Sequence, residues 1–184
     1  EDRPLNLQYL LFNRNVKQSD LSDRVKGIVG SMDDLPFGKE SLDLIWSEGA
    51  IANIGFKKGL NYWNGFLKKD GYVALTYESW FTDDRPVEIE KFWLDAVPEM
   101  NTISHNISVL QKAGYRLVAA FTLPETCWTE HYFSPCSKIQ DEFLKKHTGS
   151  KTAEELIAGQ RHEKVLYDKY KEFYGYVFYI GKKI

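Results

Sequence analysis

Apolar residues recur along this chain with two different periods, and the alternation between those periods lays out its elements. Leu7, Leu10 and Leu11 stand at helical spacing, so residues 5–16 are expected to form a helix that the polar cluster KQSDLSD ends. The run VKGIV at 25–29 is short and rich in β-branched side chains, which predicts a strand. The octapeptide GSMDDLPF and the turn GKES then lead to LDLIW at 42–46, read as a second strand buried on both faces. After the glycine-punctuated SEGAIANIG, Leu60, Trp63 and Leu67 make one stripe of a helix over residues 57–67. The turn KKDG introduces a third strand at 72–77.

Further along, ESWFTDDRP reads as a loop, and Pro86 suits the first turn of a helix that points Ile89, Phe92, Trp93 and Ala96 inward. A helix at 104–113 is stopped by Gly114, and residues 115–123 form the fourth strand. PETCWTEHYFSP reads as an aromatic loop, followed by helices at 137–147 and 152–173 and a terminal strand, YVFYI, at 176–180. Strand–helix alternation with doubly buried runs indicates an α/β fold, a mainly parallel sheet covered by helices. Ligands of such sheets bind outside the carboxyl ends of the strands. The loops expected there are GSMDDLPF, SEGAIANIG, ESWFTDDRP and PETCWTEHYFSP.

Length and composition change this picture little. The 184 residues suit one domain with a sizeable core, and 43% apolar with 27% charged residues is ordinary for a globular protein. The net charge of −2, from 24 basic and 26 acidic residues, offers no long-range attraction to nucleic acid or an anionic membrane. No run approaches the ~20 apolar residues of a membrane span, and residues 1–15 lack the layout of a signal peptide. A cytoplasmic protein is therefore expected, with Cys127 and Cys136 as reduced thiols. Its partners are a small-molecule substrate and, at most, a second copy in a homodimer. The 15% aromatic content is unusual, and those rings must line a large core or a ligand cavity.

Individual constellations are weighed against plainer roles. Asp33 and Asp34 are adjacent and would diverge, with no third ligand at the spacing of a calcium loop, so no metal site is expected. No activated nucleophile stands out. His105, His147 and His162 lie in polar helical surroundings and read as solvated, whereas His131 lies among aromatics in CWTEHYF. His131 is open to either a ligand or acid–base role or to packing. Glu48, directly after a strand, either caps the next helix or hydrogen-bonds a ligand, and the cap is the simpler reading. Trp80, Trp128 and Tyr132 either pack under loops or form a wall that excludes water and favours a planar or cationic ligand.

Taken in order, GSMDDLPF, LDLIWSEGA, a helix and LKKDGYVAL resemble the central part of class I methyltransferases that use S-adenosylmethionine. The closest in style are the small-molecule enzymes typified by the ubiquinone/menaquinone-biosynthesis C-methyltransferases. In that family a D-A-x-x-L-P-F loop holds adenine, an F-D-x-I/V strand follows, and L-K-P-G-G opens the next strand. The resemblance covers residues 23–78 well and extends to YVFYIGKK, which looks like that fold's last, antiparallel strand. It implies a Rossmann-like fold, S-adenosylmethionine as cofactor, and methyl transfer to a small, planar or hydrophobic acceptor. By position it places Ser31, Met32 and Asp33 at the adenine and Glu48 in the cofactor pocket. It places Trp80, Trp128, His131 and Tyr132 around the substrate, with His131 or Glu130 as base and the helical segment at about 134–173 as a substrate cover.

Two departures accompany the resemblance. Ser31 stands where the family often has an acid that accepts from the adenine amino group. No G-x-G-x-G turn is present, so the first two strands with their cofactor loops are expected to be missing from an N-terminally incomplete domain that begins at Glu1. Two alternatives to an enzyme of this class follow. One is a non-catalytic remnant or interaction module built on part of such a scaffold. The other is a nucleotide-binding enzyme of another α/β family.

Overall fold

The computed structural model describes residues 7–184, and Glu1 and Asp2 lie outside them. The chain forms two compact units, Glu1–Phe37 and Gly38–Ile184. In the first unit, helix α1 (Leu7–Gln18) confirms the helical spacing. The strand expected at 25–29 is absent. Ile28 and Val29 are exposed, no strand of their unit lies beside them, and β-propensity without a ladder partner does not make a strand. The chain then closes a tight turn, in which the Asp34 amide donates to the Ser31 carbonyl at 3.1 Å.

The second unit is built on one sheet. Its strands are β1 (Leu42–Ser47), β2 (Leu67–Trp80), β3 (Asn101–Thr102), β4 (Tyr115–Thr122) and β5 (Tyr174–Lys183). The order is β1-β2-β5-β4, with the two-residue β3 added beside the end of β2. β1 and β3 run parallel to β2, while β5 runs antiparallel to both β2 and β4. The sheet is thus mainly parallel, as its sequence pattern predicts, with an antiparallel C-terminal strand, as the family resemblance implies.

Three strand details differ from expectation. β2 is 14 residues long because KKDG is absorbed into its ladder: Leu42 pairs with Leu67 and Leu44 with Tyr72, so residues 68–71 bulge out. β1 is not buried on both faces. It has β2 as its single partner, and Leu44 and Trp46 are 49% and 60% exposed on one side of the sheet. Ala96, at the end of its helix, is exposed rather than inward.

The two faces of the central strands do different jobs, because alternate side chains point to opposite sides. Val73, Leu75, Tyr77 and Ser79 of β2 share a face with Val177, Tyr179 and Gly181 of β5. Helices α2 (Phe56–Asn64) and α4 (Ile103–Lys112) cover that face with Phe56, Leu60, Trp63 and Leu110. Phe56 stacks on Tyr77 at 4.5 Å. Buried Asn106 donates to Ser79 Oγ at 3.1 Å and to the Tyr179 hydroxyl at 3.3 Å, so these three side chains satisfy one another inside the layer. Gly181 permits the closest approach of helix to sheet. A methyl there would stand 3.0 Å from Tyr115 Cβ and 3.1 Å from Leu110 Cδ2.

At the carboxyl end of β2 the opposite face supports a second core, mostly aromatic. Helix α3 (Val87–Ala96) brings Ile89 and Trp93 to Trp80, Tyr174 and Trp128. PETCWTEHYFSP, expected as a loop, is helical instead. A short α5 (Thr126–Trp128) runs through a π-helical segment, Thr129–Phe133, directly into α6 (Ser134–Lys146). The apolar spacing explains it, since Trp128 and Phe133 are five apart, one π-turn, and both are buried against α7 (Lys151–Tyr170) and the sheet. No helix among the described residues is long and apolar enough to cross a membrane.

Two substitutions test this packing by chemical denaturation. Gly181→Ala is expected to cost about 1–3 kcal/mol through overpacking against Tyr115 and Leu110. Trp128→Ala is expected to cost about 3–5 kcal/mol, because the indole is 4% exposed and touches six other rings in and beside the second core. Stability unchanged in either variant contradicts the packing described.

Candidate functional site

Three of the four chemically loaded loops do follow the carboxyl ends of β1, β2 and β4, where open α/β sheets take ligands. The fourth, GSMDDLPF, follows no strand and belongs to the first unit. There Ser31 Oγ donates to Asp33 Oδ1 across the tight turn, Met32 is half-buried, and Ser31 and Asp33 are exposed.

In the second unit the chain leaves β1 through Glu48 and Gly49. Glu48 is exposed and accepts from Trp46 Nε1 at 2.7 Å rather than capping a helix. Gly49 has φ +57°, a left-handed conformation that favours glycine, and its amide donates to Thr76 Oγ1 at 2.8 Å. A side chain at Gly49 would meet the Tyr176 hydroxyl at 3.6 Å. Tyr176 in turn donates to Glu78 Oε1 at 2.8 Å. Thr76, Glu78 and Tyr176 therefore converge beside the end of β1, on the sheet face that α2 and α4 do not cover.

The helical cover contributes the other side. Trp128 stacks on Tyr176 at 4.8 Å and on Tyr167 at 5.1 Å, and meets Tyr132 edge-on at 6.2 Å. Tyr132 donates to Glu163 Oε2 of α7 at 3.2 Å. Burial, with smaller contributions from Glu163, pushes the Tyr132 phenol up to about 12. Burial first and Glu78 second also raise the Tyr176 phenol, so both phenols remain donors at neutral pH. Burial raises the Glu163 carboxyl above its ordinary value, and the charge of Glu78 adds to the rise against the Tyr132 hydrogen bond.

The residues expected around the substrate thus fall into three groups. Trp128 and Tyr132 lie together, joined by Glu78, Glu163 and Tyr176, which the sequence reading passed over. Trp80 is 1% exposed inside the second core, with the Arg85 guanidinium 4.5 Å above its ring, so it supports the wall from behind. Glu130 and His131 are exposed on the π-helical turn, and among the described residues neither hydrogen-bonds into the cluster. Trp80, Trp128 and Tyr132 are on a strand end and a helix, not on loops. One signal for Glu78 was available: it is a lone carboxylate in the otherwise uncharged run YVALTYESW.

Neither the family models nor the curated proteins contain a match to this chain. Solved structures do match. A methyltransferase from Geobacter sulfurreducens, S-adenosylmethionine-dependent and complexed with S-adenosyl-L-homocysteine, aligns with a TM-score of 0.79 at 15% identity, over 97% of this chain and 72% of that one. A putative sarcosine dimethylglycine methyltransferase from Galdieria sulphuraria aligns with a TM-score of 0.69 at 19% identity, over 98% and 68%. The [4+2]-cyclase SpnF aligns with a TM-score of 0.72 at 15% identity, over 97% and 63%. The chain therefore spans roughly two thirds of the length of these neighbours. At such identities the likeness establishes the fold, and the fold of this chain is the Rossmann-like α/β fold of S-adenosylmethionine-dependent methyltransferases.

Proposed function

We propose that this chain is part of an S-adenosylmethionine-dependent methyltransferase and carries the acceptor side of its site. The observation behind this reading is the aromatic wall of Trp128, Tyr132 and Tyr176, with buried Glu78 at its foot, at the carboxyl end of a sheet with this strand order. Ligand contacts belong at that end. Two neighbours on the same fold are named as complexes with S-adenosyl-L-homocysteine or S-adenosyl-L-methionine.

Exposed groups in each unit, taken separately, suit contacts to such a cofactor. Ser31 and Asp33 sit in an exposed turn able to hydrogen-bond an adenine edge, with half-buried Met32 as an apolar surface for the ring. Glu48 keeps an exposed carboxylate at the end of β1. When bound, S-adenosylmethionine supplies an electrophilic sulfonium methyl. The chain's own residues orient the acceptor and exclude water, which is where a protein adds rate to chemistry its cofactor already possesses. Trp128, Tyr132 and Tyr176 wall the acceptor, and Trp80 and Tyr174 hold that wall from behind. Glu130 or His131, exposed on the turn beside Trp128, is the base in this reading, on the family resemblance. The finer assignment to the ubiquinone/menaquinone C-methyltransferase type rests on the motif order in residues 23–78.

A second reading, catalysis other than methyl transfer on the same scaffold, is favoured by the [4+2]-cyclase among the neighbours. Calorimetric titration with S-adenosyl-L-homocysteine tests the main proposal. Saturable binding is expected, by residues 1–184 or by a form carrying the gene's upstream sequence. Binding by neither form sinks the proposal and leaves a non-catalytic scaffold as the better account.

A further inference from the structure

We infer that the cluster of Glu78, Glu163, Trp128, Tyr132 and Tyr176 is a cation box that takes a small alkylammonium group, which makes the acceptor an amine or a compound bearing one. This rests on the methyltransferase reading for its chemistry but stands as a binding site without it.

Charge balance comes first. Glu78 is 8% exposed, and Glu163 is partly buried in the helix above it. Among the described residues neither carboxylate is paired with a lysine, arginine or histidine. Each accepts a hydrogen bond from one neutral phenol, Glu78 from Tyr176 and Glu163 from Tyr132. Several exposed acids, among them Glu40, Asp43, Asp70, Glu125, Asp141 and Asp168, do have a cation within 3.4 Å. A buried charge without a partner is costly, and two within electrostatic reach of each other are costlier. The acids share one locality through an unbroken set of contacts: Glu78 bonds Tyr176, Tyr176 stacks on Trp128, Trp128 meets Tyr132, and Tyr132 bonds Glu163.

The aromatic surroundings point to the kind of cation. Trp128 is stacked between Tyr176 and Tyr167 and edge-on to Tyr132, so the rings left to meet a cation beside the carboxylates are Tyr132 and Tyr176, whose hydroxyls bond Glu163 and Glu78. Ring faces attract alkylated ammonium groups, whose diffuse charge is cheap to desolvate, better than they attract a metal ion. Oxygen-rich cages suit metal ions, and no cluster of three or more metal-binding side chains exists among the described residues. The indole N–H of Trp128 is also buried without a partner, a donor that an oxygen on the same ligand can satisfy. The box is reachable, because Tyr132 is 36% exposed and Gly49 leaves no side chain in front of the Tyr176 hydroxyl.

Choline and its neutral carbon isostere, dimethylbutanol, are suitable probes, titrated into residues 1–184 by calorimetry and by tryptophan fluorescence. Choline is expected to bind about tenfold or more tightly than the alcohol. Glu78→Gln and Glu163→Gln should each weaken choline by about tenfold while leaving the alcohol unchanged. Should Glu78→Gln fail to fold by circular dichroism, Glu163→Gln on the more exposed helix carries the same test. Equal affinity for the two probes, choline binding insensitive to both carboxylates, or no choline binding at all each overturns the inference. A parallel titration with S-adenosyl-L-homocysteine separates the two claims. Its binding without choline binding removes the cation box alone, and choline binding with no S-adenosyl-L-homocysteine binding by residues 1–184 or by the extended form removes the methyltransferase reading alone.

Discussion

β5 sits between β2 and β4 and runs against both, and the parity of its residues decides what each face of the sheet contains. Nine consecutive residues pair with β2, from Lys182 opposite Tyr72 to Tyr174 opposite Trp80. Odd positions Val177, Tyr179 and Gly181 turn toward α2 and α4, while even positions Tyr174, Tyr176 and Phe178 turn toward the aromatic core and the open face. A slip of one residue would place Tyr176 under α4 and Gly181 in the open, so register here is a constraint on core and site together. The close contact of Gly181 with Leu110 and the Asn106–Ser79–Tyr179 hydrogen bonds hold that register from one side. Trp128 stacked on Tyr176 holds it from the other.

The candidate site inherits its rigidity from this arrangement. Glu78 and Tyr176 are cross-strand partners on adjacent central strands, so the bond between them is set by the ladder rather than by a loop. Trp128 ends the short α5, and the π-helical segment that follows it continues into a 13-residue helix, so the indole is held within continuous helical backbone. π-Helical turns recur at functional sites because they set side chains at spacings an α-helix does not provide. The polar groups of the candidate site are therefore mounted on central strands and buried helices, and the exposed pair Glu130–His131 rides on the turn beside them.

Much of the fold was legible along the chain, for identifiable reasons. Helices α2, α3, α4, α6 and α7 each carry an apolar stripe or a stop signal, and α4 ends one residue ahead of Ala113–Gly114 as the glycine predicts. YVFYI announced a strand, and the family resemblance supplied its antiparallel sense. The misreadings share a cause, since each depended on what lies beside a segment. VKGIV has strand composition and no neighbouring strand within its unit. PETCWTEHYFSP has loop composition, yet two rings one π-turn apart and an apolar floor make it helical. LDLIW looked doubly buried because its hydrophobicity does not reveal that the sheet ends there.

The sequence by itself determined the element types, the α/β class and the aromatic character of the ligand side, because these follow from local periodicity and composition. Only the tertiary structure decided which of those aromatics meet a carboxylate. Glu78 and Tyr176 are 98 residues apart, and Tyr132 and Glu163 are 31 apart. Their pairing exists only once β5 has taken its place in the sheet and α7 has folded over it. Before that, Glu48, Glu130 and His131 were the more conspicuous polar residues, standing beside strands and rings in the chain. Burial reversed that order, since a charge kept in water costs little and a charge enclosed among rings without a partner calls for a cation.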